Sequence, residues 1–366
     1  MTDMTVLETT KLTPDELKNP SRDLIAQLPT ILDVVEYISA LENVEMRKLL
    51  ALDADFLNMH EMGRYMPVAD QPSSNVTRFY PCSQTPFLYM RGQNSFHSPS
   101  YPSLFRKKGK ESDDYQLISR LRACEFILSF ITHPVVREVE RNCRIERMAI
   151  AQHYEIPTEY MDITNSKWVA AFFAASYKEG DQYLPTKTGF EKGIGVFYMS
   201  NPKLQNIPAV TQNITPLGFQ YFERPTRQSS FVYKMNKGDD FDESKQFVRI
   251  VFRHDTEASK VVFAMSYRQQ RFYPDDEWVG IANWIRRDDY PLSMGALELS
   301  RQFGVTQTVD EVREVLRRKG LALTDQLAPL AQLTSAQVEL GIRRWEEYER
   351  SQVTRKISNP LPIFYL

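Results

Sequence analysis

A chain of 366 residues with 42% hydrophobic residues, 25% charged residues and a net charge of −2 has the composition of an ordinary globular protein. It has room for two or three domains, or for one domain with large additions. The near balance of charge excludes attachment to nucleic acid or membrane through bulk charge, and leaves a local basic groove open.

The three cysteines, Cys82, Cys124 and Cys143, contain no CxxC pair. They predict neither a disulfide framework nor a zinc cluster and point to a reducing cytoplasm. The opening residues "MTDMTVLETTKLTPDELK" lack the basic start and apolar run of a secretion signal, and the longest apolar run, "WVAAFFAA", is far short of a membrane span. The expectation is a cytoplasmic protein without membrane contact.

From Thr13 to Leu57 the pattern is helical, with Leu32, Val35, Ile38 and Leu41 on one stripe. Residues 66–86, rich in Pro, Ser and Asn, read as a linker or long loop. "FLYMRG" (87–92) reads as a strand closed by Gly92, and residues 98–111 as a loop leading into a helix. That helix has Leu117, Leu121, Cys124, Leu128 and Ile131 as its buried stripe. A second helix ends near Gln152, with Met148 and Ala149 inward. "EYMDIT" (159–164) is a short strand followed at once by the helix "SKWVAAFFAASY". "GIGVFYMS" (193–200) is apolar on both faces, as a central strand would be, and 230–235 and 246–254 alternate as further strands.

Helices are predicted over 257–268 and 275–287, the latter with Trp278, Ile281, Ala282 and Ile285 inward and Pro274 setting its start. The pattern is helical again from Tyr290, and "TVDEVREVLRRKG" has an acidic first turn and a basic last turn ended by Gly320. The predicted organisation is a helical region and linker over 1–80, an α+β core with a mixed sheet over 81–290, and a C-terminal helical extension over 291–366.

Alternate residues of a strand share a face, which groups Phe87, Tyr89 and Arg91, and likewise Tyr160, Asp162 and Thr164. Arg91 can hold an anion such as a phosphate through a bidentate fork, or simply end the strand in solvent or against a carboxylate. Asp162 and Thr164 sit where a strand turns into a helix, a usual place for site residues, with helix capping as the other reading of Thr164. His60, His97, His133, His153 and His254 have no ligand spacing, so no metal site is expected. Cys124 and Cys143 lie on helical stripes, as core rather than nucleophiles. Asp275, Asp276 and Glu277 read as a surface complement to a helix dipole. "RKKGK" (106–110) is a local basic strip, and the apolar tail "SNPLPIFYL" reads as docking on the core or on a partner such as a chaperone.

Taken together these residues resemble the FRG domain, named for a Phe/Tyr-Arg-Gly signature. Tyr89, Arg91, Gly92 and Gln93 match its first element, "PSLFR" (102–106) the second, and "QHYEIPT" (152–158) with Asp162, Thr164, Ser166 and "VAAFFA" the third. Arg224, Gln228 and Phe231 match a later element, and Tyr273, Pro274 and Asp275 match the closing one loosely. The resemblance covers roughly residues 30–287.

FRG domains look like distant relatives of ADP-ribosyltransferases, and many sit in bacterial defence or toxin-like operons. The resemblance therefore implies a core like the ADP-ribosyltransferase fold and NAD as cofactor. It implies a toxin, toxin–antitoxin or phage-defence effector that modifies RNA, DNA or protein, with an antitoxin or chaperone at the helical ends or tail. In that reading Arg91 holds the NAD phosphate or ribose, and Asp162 and Thr164 line the nicotinamide-ribose pocket. Gln228 fills the third catalytic position, leaving negative charge to Asp162 or a nearby Glu such as Glu223. Tyr89 or Tyr154 stacks on nicotinamide, and Gln93, Arg106 and His153 complete the cofactor contacts.

The chain departs from the family at Glu155 (usually Gly), Glu159 (usually basic), Ile163 (usually Trp) and Lys167 (usually Pro). A left-handed backbone at Glu155 would cost about 1 kcal/mol. These departures keep a second reading open, a non-catalytic sensing or binding module acting through partner proteins.

Overall fold

The computed structural model describes residues 15–16, 29–50, 65–69, 77–81, 88–109, 111–142, 145–200, 213–217 and 221–353. Its centre is a six-stranded sheet built from β3 (Met90–Gln93), β4 (Tyr160–Thr164), β7 (Ile194–Ser200), β8 (Ile214–Pro216), β9 (Ser230–Lys234) and β10 (Phe247–Arg253). The order is β10-β7-β3-β4-β9-β8, and every pairing is antiparallel, so the sheet within this α+β fold is not mixed. The short strand β3 lies between β7, buried along its whole length, and β4.

Helix α5 (Lys167–Ala174) crosses β3 at close range. A Cβ on Gly92 would come within 1.8 Å of the Ala170 carbonyl oxygen, so only glycine admits this approach. Val169, Ala170, Ala171, Phe172 and Ala174 are buried there, with small alanines letting the helix backbone sit near the sheet. The same cluster takes α1 (Ile31–Leu50), whose inward stripe is Ile31, Val34, Val35 and Ile38. Leu32 and Leu41, expected on the inward stripe, are only partly buried beside it, so the buried face is rotated from the predicted one.

Of residues 66–86, expected to be a linker or long loop, the described ones, 66–69 and 77–81, lie in strands. Antiparallel strands β1 (Tyr65–Ala69) and β2 (Thr77–Pro81) pair from Tyr65–Pro81 to Ala69–Thr77. A two-stranded ribbon has only edge strands, so Pro67 and Pro81 are compatible with it. Another hairpin, β5 (Ser176–Glu179) with β6 (Gln182–Pro185), closes through Gly180 and Asp181 with Gly180 at φ 60°.

A second cluster forms around α2 (Glu111–Phe130), which contacts α4 (Arg147–His153), α8 (Glu277–Ile285) and α9 (Met294–Ser300). Being covered on several sides, α2 buries Ala123, Phe126, Ile127 and Phe130 as well as the predicted Leu117, Leu121 and Cys124. Leu292, Leu297, Val305, Val312, Leu316 and Trp345 pack into this same cluster, which therefore runs across the expected boundary at 290/291. The buried carboxylate of Glu125 fastens the junction by accepting from the Tyr290 hydroxyl, Ser293 Oγ and the Leu330 amide. Beyond α9 follow α10 (Val309–Arg318), opened by a Thr308–Glu311 capping box, and α11 (Ser335–Val353). No helix among the described residues is long and apolar enough to cross a membrane.

Candidate functional site

A cavity of about 420 Å³ opens where the ends of β3 and β4 meet the start of α5 and the β5–β6 hairpin. Arg91 and Asp162 both line it, brought together from adjacent strands. Arg91 Nη1 donates to the Asp162 main-chain oxygen at 2.7 Å, while Nε is buried with no partner. Burial pulls the guanidinium down to about 10, with the Asp162 carboxylate opposing this and Arg106 adding to it. Arg91 thus remains cationic at neutral pH.

The Asp162 side chain is set by its neighbours. Oδ2 accepts from Gln152 Nε2 at 3.4 Å, and Oδ1 lies 3.6 Å from His153 Nε2. Gln152 is itself fixed, since its Oε1 accepts from Thr158 Oγ1 at 2.9 Å and Ser103 Oγ at 3.2 Å. Gln152, His153 and Thr158 therefore form a bracing network around one carboxylate.

His153 ends α4, and its Nδ1 lies 3.0 Å from Gln228 Oε1. The following turn brings the Glu155 amide to the Gln152 oxygen and the Ile156 amide to the Ala151 oxygen, with Glu155 at φ 63°. That is a Schellman ending, whose left-handed position favours glycine. Glu155 occupies it with its carboxylate held by Lys178, Tyr273 and Arg286. Burial alone would raise this acid, but the bonds from Lys178 and Tyr273 and the charges of Lys178 and Arg286 bring it down to about 2.

The other predicted residues divide. Gln93 lines the cavity, its Nε2 donating to Ser100 Oγ at 3.0 Å and its Oε1 buried without a partner. Arg106 stands exposed at the rim, with Nε donating to the Tyr101 oxygen at 3.1 Å. Gln228 lies in the wall with both ends of its amide used, because Nε2 donates to the Phe272 oxygen at 2.9 Å. It supports His153. Thr164 Oγ1 donates to the Gln228 oxygen at 2.7 Å and accepts from the Ser166 amide at 3.0 Å, so its hydroxyl is committed to the turn into α5.

Tyr89 and Tyr154 lie outside the cavity. Tyr89 packs edge-on against Phe231 at 4.9 Å, and Tyr154 is buried in the α2 cluster with its hydroxyl on Asp276. Glu223 is drawn away by Arg227 and Arg344. Asp276 is no surface residue, since it caps α8 from a buried position where burial raises its carboxyl to about 6.

The sequence reading missed the aromatic wall, formed by Phe173, Tyr177, Tyr183 and Tyr273, together with Asn94, His97 and Lys178. The β5–β6 hairpin carries Tyr177, Lys178 and Tyr183, and its Gly-Asp turn between polar and aromatic runs is a hairpin signal. Glu155 and Asp162 are the cavity's carboxylates, and Glu155 is fully engaged, so Asp162 supplies the available negative charge. Among the described residues no group of three His, Cys, Asp or Glu side chains is arranged to hold a metal ion. The arrangement offers a cationic rim, a half-buried carboxylate and flat rings, groups that can meet an anion, a cation and a planar ring.

No curated protein and no solved structure matches the chain. A family model does: residues 86–182, which hold β3, β4, α4 and α5 and hence Arg91, His153 and Asp162, match the FRG domain.

Proposed function

We propose that the cavity binds NAD and that the protein is an NAD-dependent ADP-ribosyltransferase, with nucleic acid or protein as acceptor. The observation that carries this reading is the meeting of Arg91 and Asp162 in one aromatic-walled cavity, joined by the 2.7 Å bond across β3 and β4. Arg91, aided by Arg106 at the rim, would hold the pyrophosphate. Asp162 would face the cationic, oxocarbenium-like state that forms as the nicotinamide–ribose bond breaks, and Phe173, Tyr177 or Tyr183 would replace Tyr89 and Tyr154 as the ring that receives the base.

The bond order of events is ordinary substitution. The ribose–nitrogen bond breaks with its electron pair leaving on nicotinamide, and an acceptor oxygen or nitrogen forms the new bond and loses its proton. Thr164 and Gln228 act by position only, since neither has a free group to offer.

A second reading, a binding module without turnover, is favoured by one observation. Gln228 is saturated and Glu155 is paired, so Asp162 works without a second acid in the cavity. Nicotinamide release from NAD by purified protein, with and without total nucleic acid, separates the two. Transferase activity predicts release that drops by about two to three orders of magnitude in Arg91→Ala or Asp162→Asn. Saturable NAD binding without release establishes the binding module, and absence of both overturns NAD as the ligand.

A further inference from the structure

The contacts of Gln228 decide where the proton of His153 sits. Gln228 Nε2 donates to a main-chain oxygen, that of Phe272, at 2.9 Å, so the other end of the amide facing His153 Nδ1 at 3.0 Å must be the acceptor Oε1. Nδ1 therefore carries hydrogen in every state of the ring. In the neutral ring Nε2 is then a lone pair, and it is aimed at another acceptor, Oδ1 of Asp162. The separation of 3.6 Å is longer than a hydrogen bond, as expected for two lone pairs facing each other. Both atoms are buried and neither has another partner, and the His153 side chain is 2% exposed.

We propose that Gln228, His153 and Asp162 form a relay in which Gln228 fixes the ring with hydrogen on Nδ1, and Nε2 gains or releases the proton that sets the net charge Asp162 presents to the cavity. His153 is a positioning residue here and touches the ligand only through Asp162. With the ring neutral, the pair carries one negative charge and the carboxylate is free to face a cation. With Nε2 protonated, the gap closes to a charge-assisted bond, the pair is neutral overall, and the carboxylate is turned towards the wall. The Asp162 side chain is 35% exposed, so the pair lies within reach of solvent in the cavity.

The groups facing the ring agree with this. Burial disfavours the charged ring, the Asp162 carboxylate and the ring's bond to Gln228 favour it, and the Arg224 guanidinium disfavours it. Arg224 also donates to the His153 main-chain oxygen at 3.5 Å, so the residue is held by its main chain from α6 (Glu223–Arg227) and by its ring from the cap, Gln228. Arg91, bonded to the Asp162 main-chain oxygen, is the other charged group beside the carboxylate.

The test is the long-range proton–nitrogen spectrum of the imidazole rings in the uniformly labelled full chain across pH 5 to 9, with His153 assigned by through-bond correlation to its own backbone. The expected result is a neutral ring protonated at Nδ1, with a titration midpoint that falls by about one pH unit or more in Asp162→Asn. A neutral ring protonated at Nε2 overturns the relay, and so does a midpoint unchanged in Asp162→Asn. The tautomer is read on the wild-type protein alone, so the proposal is decided even if the variant does not fold. Neither reading depends on which ligand the cavity takes.

Discussion

Replacing Glu155 isolates a trade between backbone strain and side-chain pairing. The residue sits at φ 63°, a left-handed conformation that costs a non-glycine residue about 1 kcal/mol. Against this, its carboxylate is lowered from 4.5 to about 2 in a site where its side chain is 23% exposed. That difference corresponds to about 3 kcal/mol favouring the ionised folded state. Because the folded value is the lower one, the contribution is complete above the unfolded titration near 4.5 and is lost as pH falls towards 2. Urea unfolding of wild type and Glu155→Gln should therefore differ by about 3 kcal/mol at pH 7 and by about half that at pH 3. Glu155→Gly should be more stable than Glu155→Ala by about 1 kcal/mol, since glycine adopts the turn freely. Equal stability of wild type and Glu155→Gln at pH 7, or a difference that ignores pH, would refute the pairing argument.

Gly92→Ala should lower the melting temperature through about 1–3 kcal/mol of overpacking, because the added carbon meets the Ala170 carbonyl rather than a movable side chain. Thr164→Val should destabilise by about 1–3 kcal/mol in denaturant, by stripping the Gln228 oxygen and the Ser166 amide of their partner. Asp276 is raised from 3.8 to about 6, so the sign is opposite to that of Glu155, and wild type should lose stability relative to Asp276→Asn as pH rises from 4 to 7. Chemical denaturation at three pH values checks it.

How far the sequence speaks depends on whether a residue's role is set locally. Period-two alternation groups Arg91 with Tyr89 and Asp162 with Tyr160, but the cavity is lined by consecutive residues at the strand ends, Met90 to Gln93 and Asp162 to Thr164, so it is position at the strand end that brings Arg91 and Asp162 to it. Local pattern is enough to mark β7 as a central strand, since an apolar run without alternation needs cover on both faces. In one dimension Thr164 reads as either a cap or a site residue, and only the resemblance sets Gln228 beside Asp162. What separates both from Asp162 is saturation, and that depends on carbonyls of Gln228 and Phe272 that arrive from distant parts of the chain. Tyr154 was misplaced for a related reason: its neighbours in sequence line the cavity, but helix rotation at the end of α4 turns it into the α2 cluster. The continuity of the C-terminal helices with the core was illegible too, because it rests on Glu125 meeting residues 165 to 205 positions away.

The Arg224-x-x-x-Gln228 spacing has a physical reason that follows from these contacts. Arg224 lies 3.9 Å from the centre of the Tyr273 ring, donates to the Pro274 oxygen at 3.3 Å and reaches the His153 oxygen, while Gln228 takes the same residue by its ring. Four residues apart on one short helix, the two side chains share a face and grip a single histidine from its main chain and its imidazole. A lysine at 224 would keep the charge but lose the flat stacking and the forked donation, so the histidine would be free to rotate away from Asp162. The pair therefore governs the carboxylate without entering the cavity. Arg224→Lys should accordingly broaden or shift the His153 titration while Arg91 and its bond to Asp162 stay in place, an outcome that a merely space-filling arginine would not give.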